Sequence, residues 1–365
     1  MKISNEGSVS LHLPDSRKEV FYNPEMELSR DISVAFLQVV GNRNFVVCDL
    51  LSGGGARAIR YAKETSAKKV FANDANEYAA RYVKENAALN EAENRVSVSC
   101  MGANDFLSRH KNLFDFIDID PFGSPVYFME ELAKSSKPDS YLALTATDCG
   151  ALAGVFPKTC AERYGIKLDR TECYKEVGVR NLVGMAAAHF KPHSLFVRPL
   201  LSHATEHYFR VFLKISRIGK LNTKYFYHCG KCGYCTFKSV AKCKYCKSTA
   251  SKLGPVWASS LYDKAVCLEI AEKLKQRFRK SAEARKLVFT ILDECDQPFY
   301  YNIHKISERL SANTPGMKNI IRELKKRGHE ATRTQFSNTS IKTDAGLDNI
   351  KEIIKTFGGQ QPRKR

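Results

Sequence analysis

Phe45-Val46-Val47-Cys48-Asp49-Leu50-Leu51-Ser52-Gly53-Gly54-Gly55 decides the fold: a short apolar run ends on a carboxylate and passes into three consecutive glycines. The run predicts a buried strand and the glycines predict a tight turn, after which Ala56 to about Thr65 has the composition of a helix. The same unit repeats outward. Strands are expected at 69–74, 95–100, 114–119 and 141–146, with helices at about 77–90 and near 124–136 between them. Strands alternating with helices at this spacing predict an α/β domain whose parallel sheet is covered on both faces. Late strands are expected within 195–215.

In such sheets ligands bind at the carboxyl ends of the strands. Glycines at the first turn let a ligand approach the backbone, and the spacing to Ala58 leaves a dinucleotide pattern open. Two features favour S-adenosylmethionine. Asp49 stands four residues before Gly53, placed for an ammonium group, and Asp74 ends the second strand, placed for two ribose hydroxyls. The fourth strand, Phe114-Asp115-Phe116-Ile117-Asp118-Ile119, breaks at Asp120-Pro121-Phe122-Gly123. Pro121 fixes the backbone there. Phe122 offers a flat face to a nucleobase, and Asp120 can accept from an exocyclic amine and take its proton. Asp118 and Asp120 both lie on an otherwise apolar strand, where an unpaired charge is costly. Ser52 has no evident histidine partner, so a hydrolase triad is not supported, and His203 with His207 lacks a third metal ligand.

Net charge is +19, unevenly spread. Residues 1–215 hold 27 Lys+Arg against 26 Asp+Glu, a net of +1, whereas residues 216–365 hold 31 against 13, a net of +18. The excess predicts a polyanion-binding part attached to a neutral one, with a boundary near 217. No signal peptide and no run of about 18 apolar residues is visible, so a cytoplasmic protein without membrane attachment is expected. A monomer is expected, with no protein partner indicated.

Twelve cysteines and no secretory signal indicate a reduced compartment. Cys229-Gly230-Lys231-Cys232 and Cys243-Lys244-Tyr245-Cys246 are two knuckles of a closed four-cysteine zinc site with a structural role. Cys232-Gly233-Tyr234-Cys235 is an alternative first knuckle. Residues 262–292 predict a long, interrupted basic helix. Two helices within 303–328 and a hairpin within 331–343 predict a winged-helix-like module spanning about 296–357, and the tail from Gln360 is expected to be disordered.

These segments together resemble the tRNA (guanine-26-N2)-dimethyltransferase family in its archaeal form. The likeness is carried by Glu19-Val20-Phe21-Tyr22-Asn23-Pro24 with Ser29-Arg30-Asp31, Asp49 to Arg57, Asp74-Ala75-Asn76, Asp118 to Gly123, Thr145-Ala146-Thr147-Asp148, Tyr208-Phe209-Arg210-Val211, the paired cysteines, Gly254-Pro255-Val256-Trp257, and Thr332-Arg333-Thr334-Gln335-Phe336 with Ile341-Lys342-Thr343. The resemblance implies a class I methyltransferase (Rossmann-like) domain over 1–217 and a basic α+β domain over 218–365 that binds tRNA. It implies methylation of N2 of guanine 26. Asp120 would be the catalytic carboxylate beside Pro121, with Phe21 and Phe122 around the base. Arg30, Asp49, Gly53, Gly55, Arg57 and Asp74 would hold S-adenosylmethionine. Gly102-Ala103-Asn104 stands where the family has an acidic residue, so the adenine contact is expected from the backbone of Gly102 and Ala103, or from Asp105. Methylation of rRNA or DNA, or a non-catalytic nucleic-acid binder, are the alternatives; an oxidoreductase leaves the charged half without a role.

Overall fold

The computed structural model describes residues 2–13, 20–275 and 280–359. The chain opens with a hairpin, β1 (Lys2–Glu6) and β2 (Val9–Leu13), followed by helix α1 (Glu27–Val40). The repeating part comprises β3 (Val46–Asp49), α2 (Ala56–Glu64), β4 (Lys69–Asn73), α3 (Glu77–Leu89), β5 (Val96–Ser99), α4 (Ala103–Arg109), β6 (Phe116–Ile119), α5 (Met129–Ser135) and β7 (Tyr141–Ala146). Helices α6 (Cys149–Leu152), α7 (Pro157–Tyr164) and α8 (Tyr174–Phe190) lead to β8 (Phe196–Thr205) and β9 (Tyr208–Ser216). These strands form one seven-stranded sheet in the order β5-β4-β3-β6-β7-β9-β8. The first five pair in parallel, and β9 runs antiparallel to both β7 and β8. Strand order reverses between β3 and β6, which opens a crevice at their carboxyl ends. Asp49 lies opposite Asp118 there.

Local chemistry sets the boundaries. Gly55 has φ +83°, a left-handed turn that side chains disfavour, and a Cβ there would press on Val83 of α3. Asn76 caps α3 by accepting from Tyr78 N–H at 2.9 Å. The helix expected near 124–136 starts as a 3-10 turn, Pro125–Phe128, before α5. His203 and His207, at helical spacing in the sequence, are on a strand and in the turn after it. His203 is buried with its titration pushed down to about 3, first by burial and then by Arg210.

Beyond residue 217 come β10 (Thr223–His228), β11 (Cys235–Thr236) and β12 (Ser251–Trp257), then α9 (Lys264–Lys273) and α10 (Ser281–Asp293). The long helix expected at 262–292 is thus two helices; residues 276–279 lie outside those described. Both pack on α1, and β12 packs on α8. Phe226, Val256, Ile270 and Val288 therefore belong to the same apolar core as Val47 and Phe116. The chain ends with β13 (Tyr301–Asn302), α11 (Ile303–Arg309), α12 (Met317–Lys326), β14 (Ala331–Arg333), β15 (Ser340–Thr343) and α13 (Leu347–Gly358). This is the expected helix–turn–helix–hairpin order, with β13 added to the hairpin and α13 closing a second core around Ile303, Ile320, Ile341 and Ile350. The expected disordered tail falls outside the described residues. Lys342 of β15 is buried, with Nζ 2.9 Å from Glu294 and 3.5 Å from Glu176 of α8, so one ionic cluster ties this module to the sheet. No helix among the described residues is long and apolar enough to cross a membrane.

Candidate active site and metal centre

A cavity of about 520 Å³ lies at the crevice. Its floor is the turn after β3, with Asp49, Ser52, Gly53, Gly54 and Arg57. Asp74 and Asn76 flank it after β4, and Asp120, Pro121 and Phe122 after β6. A strap of Val20, Phe21, Tyr22 and Asn23 closes the front, with Arg30 behind it. The strap needs Gly53. That residue has φ +50°, and a Cβ on it would lie 3.2 Å from the Phe21 carbonyl.

Asp118 and Asp120, alike in sequence, differ in surroundings. Asp118 is fully buried and held by Arg210, whose Nη1 and Nη2 lie 3.1 and 2.6 Å from its two oxygens, and by Tyr61 at 2.5 Å. Burial alone would raise its titration, but Arg210 and then Arg57 outweigh it and hold the carboxyl below its ordinary range. Asp120 faces the cavity with its side chain 21% exposed, and Arg57 Nη2 donates to its Oδ2 at 2.5 Å. Arg57 also donates to Ser33 Oγ at 3.0 Å, so its fork is fixed from below. A hydrogen bond from Gly123 N–H to Thr147 Oγ1, at 2.7 Å, anchors the loop to the end of β7.

Asp49 is buried, and its Oδ2 has no hydrogen-bond partner. Burial, then the charge of Asp118, pushes its carboxyl up to about 8. An unpartnered carboxylate in a cavity wall fits a cationic ligand group. Asp74 accepts from Gly53 N–H at 2.8 Å and from Asn76 N–H at 2.9 Å, which orients it toward the cavity rim. Arg30 is held bidentately by buried Glu6, with both contacts at 2.5 Å, and its guanidinium lies 5.2 Å from the Tyr22 ring centre. Glu6 accepts from Tyr22 as well. The hairpin, the strap and α1 are thereby joined at one carboxylate.

Phe21 and Phe122 are brought together, at 45% and 76% exposure, but as a direct edge-to-face pair with ring centres 4.5 Å apart and planes at 78°. A base sandwiched between them needs the rings parallel and about 7 Å apart, two stacking distances, so they must turn to admit it. Gly55, Gly102 and Ala103 stand outside the cavity lining: Gly55 serves the turn against α3, and Ala103 opens α4. Sequence reasoning assigned no site role to Ser33, Glu6, Tyr22, Tyr61 or Arg210. Arg210 carries a visible signal, a cation within the apolar stretch Tyr208–Leu213 of β9 that matches the lone anion Asp118 in β6.

Cys229, Cys232, Cys243 and Cys246 place their sulfurs within 4.8 Å of one another. Four thiolates at about 2.3 Å from a tetrahedral zinc fit that spacing. Cys235 is elsewhere, its sulfur 3.5 Å from Cys173. Cys229, Cys232 and Cys243 also belong to the core of the winged-helix-like module.

A family model described as N2,N2-dimethylguanosine tRNA methyltransferase matches residues 2–355. The tRNA (guanine(26)-N(2))-dimethyltransferase of Methanothermobacter thermautotrophicus is 34% identical, over 96% of this chain and 97% of its own length. That of Methanocaldococcus jannaschii is 37% identical, over 96% and 98%. Among solved structures, the complex of Trm1 from Pyrococcus horikoshii with S-adenosyl-L-methionine has a TM-score of 0.89 at 32% identity, covering 97% of this chain and all of that one.

Proposed function

The chain belongs to the N2,N2-dimethylguanosine tRNA methyltransferase family, and from that premise we propose that it methylates N2 of guanine 26 in tRNA, using S-adenosylmethionine. The observation that carries this reading is the cavity itself. Asp120 stands at its mouth beside exposed Phe122, and Asp49, whose Oδ2 has no hydrogen-bond partner, stands in its wall.

Asp49 would bind the donor's ammonium group, and Asp74 its ribose hydroxyls through lone pairs that its two backbone donors leave free. Gly53, Arg57 and Arg30 complete that wall. When bound, the donor supplies a methyl group on a cationic sulfonium, already electrophilic. Phe21 and Phe122 receive the base. Asp120 accepts from N2–H and directs the nitrogen lone pair, which is otherwise delocalised into the ring. As the N–C bond forms and the S–C bond breaks, the N2 proton passes to Asp120 and then to water. An alkylated nitrogen whose lone pair has entered the new bond is strongly acidic, so a carboxylate clamped by Arg57 suffices as acceptor. N2 keeps one hydrogen after the first transfer, so the step can run twice.

The balanced part through residue 217 would hold the chemistry and the basic remainder the tRNA, as the charge split favours. Cys229, Cys232, Cys243 and Cys246 would hold a structural zinc. A tRNA substrate assigns the work to the cytoplasm. The test is transfer of labelled methyl to an unmodified tRNA transcript followed by nucleoside analysis: label on guanosine N2 is expected, and label confined to rRNA or DNA overturns the reading.

A further inference from the structure

Helix α12 buries Ile320 and Leu324 and turns Lys318, Arg322 and Lys325 outward, at steps of four and three residues that align them on one face. Arg333, at the end of the wing strand β14, faces the same open groove of about 1070 Å³. All four cations are exposed, and none is paired with a carboxylate among the described residues. Arg322 donates to the Asn319 amide oxygen at 3.1 Å, and Arg333 to the Asn338 carbonyl at 2.8 Å. Among the module's other cations, Lys326, which lines the same groove, and Arg327 face Glu323, Lys351 faces Asp348 and Lys342 faces Glu294, while Lys305 and Lys355 lie outside the groove. Lys318, Arg322, Lys325 and Arg333 converge on one groove, a concentration of positive charge that suits a polyanion.

The wing is also fixed to the catalytic edge of the sheet. Gln335, two residues beyond Arg333, donates to the Ser202 carbonyl at 2.9 Å and accepts from Ala204 N–H at 3.4 Å. Those residues precede the β8–β9 turn. Across β9, that turn adjoins the end of β7, where Thr147 lines the cavity. Glu294 clamps the wing further by accepting from Thr334 Oγ1 at 2.9 Å and from Gln335 N–H at 2.5 Å. The groove is thus held rigidly relative to the site.

We propose that the α12–β14 groove is a second RNA site, where Lys318, Arg322, Lys325 and Arg333 grip backbone phosphates of the tRNA whose guanine enters the cavity. This deepens the tRNA reading and rests on it. Phosphate contacts position an RNA without reading its sequence, and each releases bound counterions.

Binding of an unmodified tRNA transcript to the full-length protein, followed across a salt series, tests this directly. In the K318E/R322E/K325E variant the Kd is expected to rise on the order of tenfold or more, and the slope of log K against log[salt] to fall by about 2 to 3, near 0.9 for each phosphate no longer neutralised. R333A should lower the slope by about 1. Zinc content and S-adenosylmethionine affinity should match the wild type, which shows that the fold is kept. Unchanged tRNA affinity and salt slope in the triple variant would overturn the proposal. Wild-type protein that binds tRNA through this groove yet leaves guanosine N2 unmethylated sinks the assigned reaction and leaves the groove standing.

Discussion

Arg57 bridges two carboxylates of one strand end, with Nη2 2.5 Å from Asp120 Oδ2 and Nε 3.7 Å from Asp118 Oδ2. Asp118 has a second cation in Arg210, whereas Arg57 is the only cation within ion-pair distance of Asp120 among the described residues. Asp120→Asn should therefore lower kcat by about 10² to 10⁴-fold, the usual worth of a positioned proton acceptor, with S-adenosylmethionine affinity kept. Arg57→Lys should fall between Asp120→Asn and wild type, because an ammonium cannot replace the planar fork. Single-turnover methylation with calorimetric cofactor binding separates the two effects. An Asp120→Asn protein of wild-type rate removes Asp120 from its role.

With the donor's ammonium group on Asp49, as proposed, cofactor binding becomes a proton-linked event. Its carboxyl titrates near 8 because of burial and then Asp118, so it is largely protonated at pH 7 in the free protein. A cationic ammonium binds the ionised form. Affinity for S-adenosylmethionine should therefore rise by up to about tenfold per pH unit below 8 and level off above it. Calorimetry at pH 7 in buffers of different ionisation enthalpy should show close to one proton released. The folded pKa lies above the unfolded value, so this group binds more protons folded than unfolded between about 4 and 8. It therefore lowers the stability of the free protein as pH rises through that window. Asp49→Asn should remove both dependences.

The buried cluster of Lys342, Glu176 and Glu294 sets the stability of the joint between module and sheet. Burial would pull the Lys342 ammonium down, but Glu176 and Glu294 hold it above its ordinary range. Lys342→Met leaves buried Glu294 without its cation, while Glu176 keeps Arg180 at 2.8 Å. It should cost about 3–5 kcal/mol in denaturant unfolding, with little relief from salt. A loss under about 1 kcal/mol would place the cluster among weak surface pairs.

The parallel half of the sheet is legible in the sequence because each strand is a short apolar run with its turn chemistry beside it. Local sequence does not reveal the burial that separates Asp118, inside β6, from Asp120, just beyond it: Asp118 is settled by Arg210, 92 residues away. The hairpin at residues 2–13 is hidden for the same reason. Its Glu6 is buried only because Arg30 and Arg60 come to it from 24 and 54 residues along the chain. Local periodicity carries no trace of such pairings. The strap could be named from motif likeness, but not its dependence on Glu6 and Gly53. The division near 217 follows charge, whereas apolar packing runs across it through α9, α10 and β12.

Because three of the clustered cysteines lie in the core of the winged-helix-like module, zinc and RNA grip should fail together. Cys243→Ser should lose zinc, measured by atomic absorption, and weaken tRNA binding while S-adenosylmethionine binding survives. Cys235→Ser should keep one zinc per chain, since its sulfur lies beside Cys173 instead. Loss of zinc in the Cys235 variant would assign the first knuckle to residues 232 and 235.

Phe21 and Phe122 meet edge to face with ring centres 4.5 Å apart, Phe21 about half exposed and Phe122 largely so, an arrangement that leaves apolar surface in water at the mouth of the cavity. Stacking a base recovers about 1–3 kcal/mol per aromatic face. Phe122→Ala should therefore weaken productive tRNA use by about 10 to 100-fold in kcat/KM. Phe122→Tyr and Phe122→Trp should retain most of it, because each keeps a stacking face. With Phe122 stacking only on the base that enters the cavity, as proposed, tRNA binding measured without turnover should change far less than kcat/KM. If Phe122→Ala instead lowers tRNA affinity and kcat/KM equally, the ring grips the outside of the RNA and the base is held by other groups.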